Sequence, residues 1–171
     1  GPIALGVLNG VMVAIAATLI YLLSKMMYPR DALLGLIPGR EGFYKLHRHP
    51  EARAEPGLGL ALVQGSMLFF NADYVHKRLL ALAQAMPTDT RWFVLDAAAI
   101  TQIDSTSVAA FHDTIDDMAK MGLKFGIAEL HAEVHVLLDR GGVLAHMGAD
   151  MVFDDVEDAL RAFRLRHPEY Q

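Results

Sequence analysis

The distribution of apolar and polar positions divides the chain into an apolar head and a mixed remainder. Residues 3–24 contain no charged side chain and no histidine, Lys25 follows directly, and Arg30 comes five residues later. A helix of this length spans roughly 33 Å, close to the ~30 Å hydrocarbon core of a bilayer. Basic residues at one end are typical of a cytoplasmic membrane interface. The pattern predicts a transmembrane helix over residues 1–27 that contacts the lipid bilayer through residues 3–24.

Two other interpretations of the apolar head fit the sequence less well. A signal peptide would have a basic stretch before the apolar run and a cleavage site after it, and neither is present. A buried core helix would be shorter than this uninterrupted run. The first two residues, Gly1 and Pro2, match a cloning or protease scar, and the chain has no initiator Met. We therefore expect a fragment that begins at the final span of a larger protein.

The segment after the apolar head is rich in residues that interrupt regular structure. Pro29 ends the helix, because it lacks a backbone donor and disfavours helix at the residue before it. Gly and Pro recur over residues 31–57, and only residues 32–37 suggest a short extended piece. The sequence predicts a juxtamembrane linker over residues 28–56. Four of its residues indicate a solvated connector beside anionic headgroups or, as the alternative, a metal or pH-sensing role: His47, Arg48, His49 and Arg53.

The remainder of the chain, residues 57–171, alternates between short apolar runs and helical stripes. The apolar runs predict strands, the first two of them as a hairpin about Gln64-Gly65: residues 58–63, 66–70, 91–97, 123–128 and 151–153. Apolar positions spaced by three and four residues predict the helices: residues 72–86, 105–121, 131–140 and 154–170. Alternation favours a parallel sheet covered by helices. The fold class is α/β, with a mixed, mainly parallel sheet of about five short strands and about four helices.

Charge and composition exclude several classes of function. The net charge is −5 and the pI is near 5.9, and no basic stripe is present, so nucleic acid is not the expected partner. The sequence has no cysteine, which excludes disulfides, thiolate catalysis and cysteine-bound zinc. It also has no P-loop, dinucleotide fingerprint or nucleophile elbow. We expect no cofactor and no enzymatic activity.

The candidate site residues lie where helices begin and a strand ends. The segment Asp104-Ser105-Thr106-Ser107 opens a predicted helix, whose free N–H groups can hold an anion or a phosphate. Plain capping of that helix explains the same residues. Asn71 is placed as the N-cap of the preceding helix, and Asp96 ends a buried strand, where sites in α/β sheets collect. The pattern His131-x-Glu133-x-His135 is not the zinc-protease order, so no metal site is predicted.

Several short motifs occur in an order that resembles one known family. They are Pro29-Arg30, Leu34 to Gly39, Pro50 to Arg53 with Pro56-Gly57, Leu68 to Asp73, Val94 to Asp96 and Ile103 to Thr106. In this order they resemble the C-terminal STAS domain, together with the last transmembrane helix, of sulfate permease (SulP) anion transporters. The STAS fold is shared with the soluble anti-sigma-factor antagonists. The resemblance covers nearly the whole chain.

The resemblance implies a regulatory and interaction domain on the cytoplasmic side of the inner membrane. It implies sulfate, bicarbonate or dicarboxylates as substrates of the complete protein, whereas one span cannot transport. The implied partners are the rest of the membrane domain, a second copy in a homodimer, and a nucleotide or an acyl-carrier-type protein. The chain departs from the family at Ser107, where glycine is usual after Asp-Ser-Thr. Because serine is tolerated in a first helical turn, the fold is unaffected, whereas close approach of a ligand is in question.

A phospho-switch is the alternative function. In the anti-sigma-factor antagonists the phosphorylated residue is the one two places after the aspartate, and its match here is Thr106, with Ser105 beside it. The helix dipole would stabilise a phosphate at this position, although Asp104 would repel it. Those antagonists lack a membrane span, which counts against this alternative.

Overall fold

The computed structural model describes residues 2–170 and contains an apolar helix followed by a six-stranded sheet covered by helices. The α-helices are α1 (Pro2–Met27), α2 (Ala72–Gln84), α3 (Ser105–Lys120), α4 (Ala132–Arg140), α5 (Val143–Met147) and α6 (Val156–Arg166). The strands are β1 (Asp31–Gly35), β2 (Tyr44–Lys45), β3 (Leu58–Val63), β4 (Trp92–Asp96), β5 (Lys124–Ala128) and β6 (Val152–Phe153). Short 3-10 turns over Ala149–Met151 and Pro168–Tyr170 complete the fold.

The sheet is mixed and mainly parallel. Its strand order is β2-β1-β3-β4-β5-β6, in which β3 to β6 run parallel and β1 is antiparallel to both of its neighbours. The parallel strands are almost continuously buried, as expected for strands with helices on both faces. The predicted fold class is confirmed, with six strands in place of about five.

Two adjacent residues of β4 show which helices cover each face. The Trp92 ring contacts the Phe163 ring of α6, with 5.3 Å between the ring centroids. Successive side chains of a strand point to opposite faces, so Phe93 lies on the other face. There Gly59 lies against both Phe93 and Met86, and Met86 follows the end of α2. A side chain on Gly59 would meet the Phe93 ring at 2.9 Å, which explains the glycine. Phe125, the β5 residue paired with Phe93, lies 6.5 Å from Phe111 of α3 between ring centroids. Helix α6 therefore covers one face, and α2 and α3 cover the other.

The predicted hairpin is wrong. Residues 66–70 form no strand, and their one ladder contact in the described chain is an isolated parallel bridge between Met67 and Ile103. The antiparallel partner of β3 is β1, which runs from Asp31 opposite Val63 to Leu34 opposite Leu60. Leu34 is buried against the core, whereas the aromatic pair Phe69-Phe70 lies at the edge of the domain. The apolar content of residues 66–70 thus predicted that they pair with β3, but β1 occupies that place in the sheet.

The segment predicted as a linker contributes two strands to the sheet. The expected extended piece at residues 32–37 is β1, and β2 pairs with its outer edge. Asp31 forms a bidentate ion pair with Arg78 of α2, with distances of 2.7 and 2.8 Å, and only 9 % of the Asp31 side chain is exposed. This hydrogen-bonded pairing raises the pKa of the Arg78 guanidinium. The predicted start of the STAS domain at residue 57 stays a prediction. Of the residues before it, β1 and β2 are hydrogen-bonded into the sheet.

Helix α1 projects away from the rest of the protein. None of its described residues is buried, and it is long and apolar enough to cross a membrane. The alternative of a core helix is therefore excluded. In the last turn Lys25 lies over the Tyr21 ring, with 5.1 Å between its amino nitrogen and the ring centroid. The apolar side chains of α1 are thus exposed along its described length.

We predict that Arg78→Ala destabilises the domain by about 2 kcal/mol, between the cost of breaking a surface pair and a buried one. The reason is that Asp31 would keep its charge at a nearly buried position without a partner. Urea unfolding followed by fluorescence of Trp92, the one tryptophan of the chain, measures the change. Lys77→Ala is the matched control, because its ion pair with Asp73 on the same helix is exposed. Equal losses in both variants would contradict the prediction.

Candidate functional site

The N-terminus of α3 is capped by Asp104. Its Oδ1 accepts a hydrogen bond from the backbone N–H of Ser107 at 2.9 Å, which satisfies one of the free donors of the first turn. Its Oδ2 accepts a second bond from the backbone N–H of Phe69 at 2.6 Å. The carboxylate is thus shared between the helix it caps and the loop that precedes α2.

Hydrogen bonds keep the Asp104 carboxyl ionised. Burial is the largest single influence and acts to raise its pKa, but the N–H groups of Ser107, Phe69 and Thr106 and the Ser107 hydroxyl together outweigh it. The net result is a pKa below the usual range of an aspartate. Asp104 therefore acts as a fixed negative charge at neutral pH, and a second anion on its own oxygens is disfavoured.

Ser107 is a structural residue. It is fully buried, and its hydroxyl proton lies between two acceptors, the Met67 carbonyl oxygen and Asp104 Oδ1, the latter at 3.0 Å. A glycine at this position could not make either contact. The departure from the family pattern noted in the sequence thus adds a bond between α3 and the loop before α2.

Asn71 joins the module to the end of α1. Its side chain is 1 % exposed and does not cap α2 by a hydrogen bond, contrary to the expectation from sequence. Its Nδ2 donates to the carbonyl oxygens of Met26 at 2.8 Å and of Ser66 at 2.9 Å, while its Oδ1 accepts from the N–H of Leu68. The Met26 carbonyl belongs to the last turn of α1, where carbonyls lack partners within the helix. Asn71 supplies one.

Residues 66–71, which we call the clamp loop, are held from both sides. On the α3 side the contacts are Asp104 to Phe69 and Ser107 to Met67. On the α1 side Asn71 holds the Met26 carbonyl. Three of the six predicted site residues, Asn71, Asp104 and Ser107, therefore belong to one hydrogen-bonded assembly. Its members lie on elements that are distant in sequence, which is why sequence spacing predicted the residues but not their connection.

Two other predicted site residues lie at the exposed edge of this assembly. The side chains of Ser105 and Thr106 are exposed in the first turn of α3, and neither makes a side-chain hydrogen bond within residues 2–170. Phe69, whose backbone N–H binds the adjacent Asp104, is 71 % exposed. Hydroxyl groups and an aromatic ring at one edge offer polar and apolar contacts to another molecule. We call Phe69, Ser105 and Thr106 the exposed edge.

Asp96 is separate from this assembly. Its Oδ1 accepts a bond from the backbone N–H of Ala98 at 3.0 Å, and among the described contacts it has none with the clamp loop or with α3. Burial raises its pKa, and the Ala98 hydrogen bond opposes the shift. The single partner belongs to the turn that follows β4, so the geometry assigns Asp96 to that turn.

A pair of histidines that the sequence analysis missed joins α3 to α5. His112 Nε2 donates to the Gly141 carbonyl, and His146 Nε2 faces Asp116 Oδ1, each at 2.8 Å. The two Nδ1 atoms then face each other at 2.7 Å and need one proton between them. The signal was absent from the sequence, because α5 was not predicted.

No arrangement among residues 2–170 brings three or more histidine or acidic side chains together in a form that could hold a metal ion. His131, one of the spaced histidines, instead lies with Nε2 at 2.6 Å from the Ala98 carbonyl oxygen. His49 lies near Glu51, and 3.8 Å separates the closest atoms. Both histidines therefore have local partners.

Comparison with known proteins shows the family to which the chain belongs. The sequence model of the STAS-domain family matches residues 49–159, and the chain belongs to this family. The predicted resemblance to STAS domains of SulP anion transporters is also confirmed. The chain is 29 % identical over 164 residues to a probable sulfate transporter of Mycobacterium tuberculosis, covering 96 % of this chain and 29 % of the relative. It is 25 % identical to the probable sulfate transporter 4.2 of Arabidopsis thaliana, over 91 % of this chain and 24 % of the relative.

Solved structures agree with this assignment at the level of the fold. The murine Solute Carrier 26 family member A9 anion transporter, in its inward-facing state, superposes with a TM-score of 0.76 at 18 % identity, covering 90 % of this chain and 25 % of that protein. A SulP transporter STAS domain from Vibrio cholerae gives a TM-score of 0.54 at 20 % identity, covering 74 % of this chain and 94 % of that domain. The chain spans under a third of the length of the sulfate transporters named above.

We predict that the contribution of Asp104 to stability disappears in acid. Because its pKa is lowered in the folded protein, the contribution is complete above the pKa of an unfolded aspartate, near 4, and is lost as the pH falls through the lower folded value. Asp104→Ala should cost about 1–2 kcal/mol at pH 7, as for other N-caps. The difference from the native chain should shrink at about pH 3. Urea unfolding at both pH values measures it, and a constant difference would contradict the prediction.

Proposed function

We propose that the chain is the cytoplasmic STAS domain, still joined to the last transmembrane helix, of a SulP-type secondary anion transporter in the inner membrane. Its role is regulatory, through interaction, and it does not transport by itself. The observation that carries this proposal is the continuous set of hydrogen bonds from the exposed edge, through Asp104 and the clamp loop, to the last turn of α1.

The membrane placement is supported by two independent features. Helix α1 is wholly exposed and carries its basic residue, Lys25, at the end next to the STAS domain, as expected for a cytoplasmic interface. The alignment with the mycobacterial relative leaves only 4 % of the chain uncovered, about seven residues, so it must include most of α1. A helix and domain that align together with transporters are expected to act together.

The mechanism that we propose is mechanical coupling. A molecule bound at the exposed edge would contact Phe69, whose N–H is held by Asp104. Displacement of the clamp loop would then act on the Asn71 side chain and, through it, on the Met26 carbonyl. Because each of these contacts involves a group with low exposure or a backbone atom, the assembly has little freedom to absorb a shift locally.

Transport requires parts that lie outside this chain. A single span leaves no enclosed polar route for an anion, since a charge in the hydrocarbon core needs protein or water around it. Sulfate is the first substrate to test for the complete protein, because the matched relatives carry that name, and bicarbonate and dicarboxylates follow. The homodimer and the nucleotide or acyl-carrier-type partner inferred from the resemblance stay predictions.

The coupling is tested in the complete transporter reconstituted in liposomes. Asn71→Ala removes both donor contacts, so we expect sulfate uptake to change at least threefold while Trp92 fluorescence still reports a folded domain. Gln84→Ala is the matched control, because it removes an exposed amide at the end of α2. Uptake that is equal in all three proteins would refute coupling through Asn71. The 171-residue chain alone should give no uptake above that of empty liposomes.

A phospho-switch is the second candidate function. The hydroxyls of Ser105 and Thr106 favour it, because they are exposed and bind no other side chain or backbone group within residues 2–170. A fold match to a putative anti-sigma-factor antagonist of Thermotoga maritima, with a TM-score of 0.53 at 14 % identity, is consistent with it. Incubation with an anti-sigma-type kinase, followed by intact mass measurement of the native chain and of Thr106→Ala and Ser105→Ala, tests it. A single added phosphate that Thr106→Ala abolishes would support it, and no mass change in any of the three would exclude it.

A further inference from the structure

A cavity of about 400 Å³ lies beneath the end of α1. Its lining includes Tyr28 and Arg30 from the chain just after the helix, Lys45 from β2, Arg48 from the following turn, and the Asp31–Arg78 ion pair. The cavity is therefore built by the connection between helix and domain together with the outer edge of the sheet. It is distinct from the clamp loop and from the exposed edge.

The cavity carries an excess of positive charge. Arg30, Lys45 and Arg48 make no ion pair and no side-chain hydrogen bond anywhere in the described part of the chain. The one acidic residue of the lining, Asp31, is neutralised by its bidentate bond to Arg78. Three unpaired cations converging on one hollow repel each other, and a bound anion would relieve that repulsion. In a chain with net charge −5, such a local excess is not an effect of composition.

The position of the cavity selects the anion. The uncharged run of α1 ends at Ser24, so Tyr28 lies about 6 Å farther along the helix axis. The headgroup layer of a bilayer extends roughly 5–8 Å beyond the hydrocarbon core. The opening of the cavity therefore coincides in depth with lipid phosphates. The Tyr28 ring packs against Tyr74 at 5.0 Å between centroids, and tyrosine is enriched at this depth in membrane proteins.

A second hollow beside α1 extends the same basic surface. Its volume is about 520 Å³, it shares Tyr28 and Arg30 with the first, and it adds Lys25. Arginine forks match phosphate oxygens two at a time, and lysine contributes a point charge. Basic pockets of this kind beside membrane helices are suited to anionic lipid headgroups.

We propose that the cavity formed by Arg30, Lys45 and Arg48 binds the headgroup phosphate of an anionic phospholipid and so fixes the STAS domain against the membrane surface. The shared chemistry is recognition of a phosphate oxyanion, which free inorganic phosphate also offers. This inference rests on the membrane placement proposed above, and it adds a ligand class to that placement.

The test uses the whole 171-residue chain in lipid nanodiscs and follows thermal unfolding through Trp92. One set contains phosphatidylcholine alone, and in the other roughly a quarter of the lipid is phosphatidylglycerol, which is anionic. Because a ligand that binds the folded state stabilises it, the anionic lipid should raise the midpoint by about 3 °C. Adding inorganic phosphate to the phosphatidylcholine set should leave the midpoint unchanged. A rise of the same size with inorganic phosphate would overturn the assignment to lipid.

The variants locate the effect. The triple change R30Q/K45Q/R48Q should abolish the rise that phosphatidylglycerol causes, whereas K120Q/R140Q/R161Q should keep it, because those exposed cations lie outside the cavity and their removal changes the net charge equally. Because Lys45 lies in β2, changing it could disturb the fold. The variant R30Q/R48Q leaves Lys45 in place and should at least halve the rise in midpoint that phosphatidylglycerol causes. A rise that persists in both cavity variants would overturn the proposal.

Failure of this inference and failure of the proposed function give different results. If α1 is not a membrane helix, the chain will not co-elute with the nanodiscs, and both proposals fall. If the chain is incorporated and its midpoint does not depend on phosphatidylglycerol, only the headgroup site is overturned. Increasing salt offers a further check, since screening should reduce a rise that depends on these exposed charges.

Discussion

The organisation of this protein depends on one buried amide. Asn71 holds carbonyl groups of α1 and of the clamp loop with the same nitrogen, and it anchors the loop through its oxygen as well. All three contacts lie at a position almost without exposure, where an unpaired polar group is expensive. Asn71 therefore attaches the end of α1 to the clamp loop, and Asp104 and Ser107 attach the same loop to α3.

The sequence predicted the parts that depend on local pattern. Helix α3 was found because Phe111, Ile115 and Met118 are spaced by four and three residues over about two turns, and all three are buried. Asp104 was found because aspartate directly before a helix commonly caps the free N–H groups of its first turn. The role of Asn71 was not predictable, since its partner Met26 is 45 residues away. The hairpin was wrong for a related reason: residues 66–70 have strand-like composition, but the antiparallel place beside β3 belongs to β1, and pairing is decided by the whole sheet.

Ser107 shows how a departure from a family pattern can be understood once its surroundings are known. In sequence it is a replacement of glycine whose effect on ligand approach is uncertain. In the fold its hydroxyl reaches the Met67 carbonyl and the capping carboxylate, so it is buried and satisfied. The neighbouring Ser105 and Thr106 face outward. The four-residue opening of α3 therefore separates into a structural half, Asp104 and Ser107, and a half available to partners.

The short passage from α1 to β1 has a dynamic consequence. Only residues 28–30 separate Met27 from Asp31, and three residues can extend by no more than roughly 10 Å. Pro29 in that passage is buried, and the Gln64 N–H binds the Arg30 carbonyl at 2.7 Å, so even this length is not free. The connection between α1 and β1 is therefore too short and too well held to let the domain rotate independently of the helix. In the membrane placement proposed above, a tilt of α1 would turn the sheet by the same angle, so that helix and sheet would move as one rigid body.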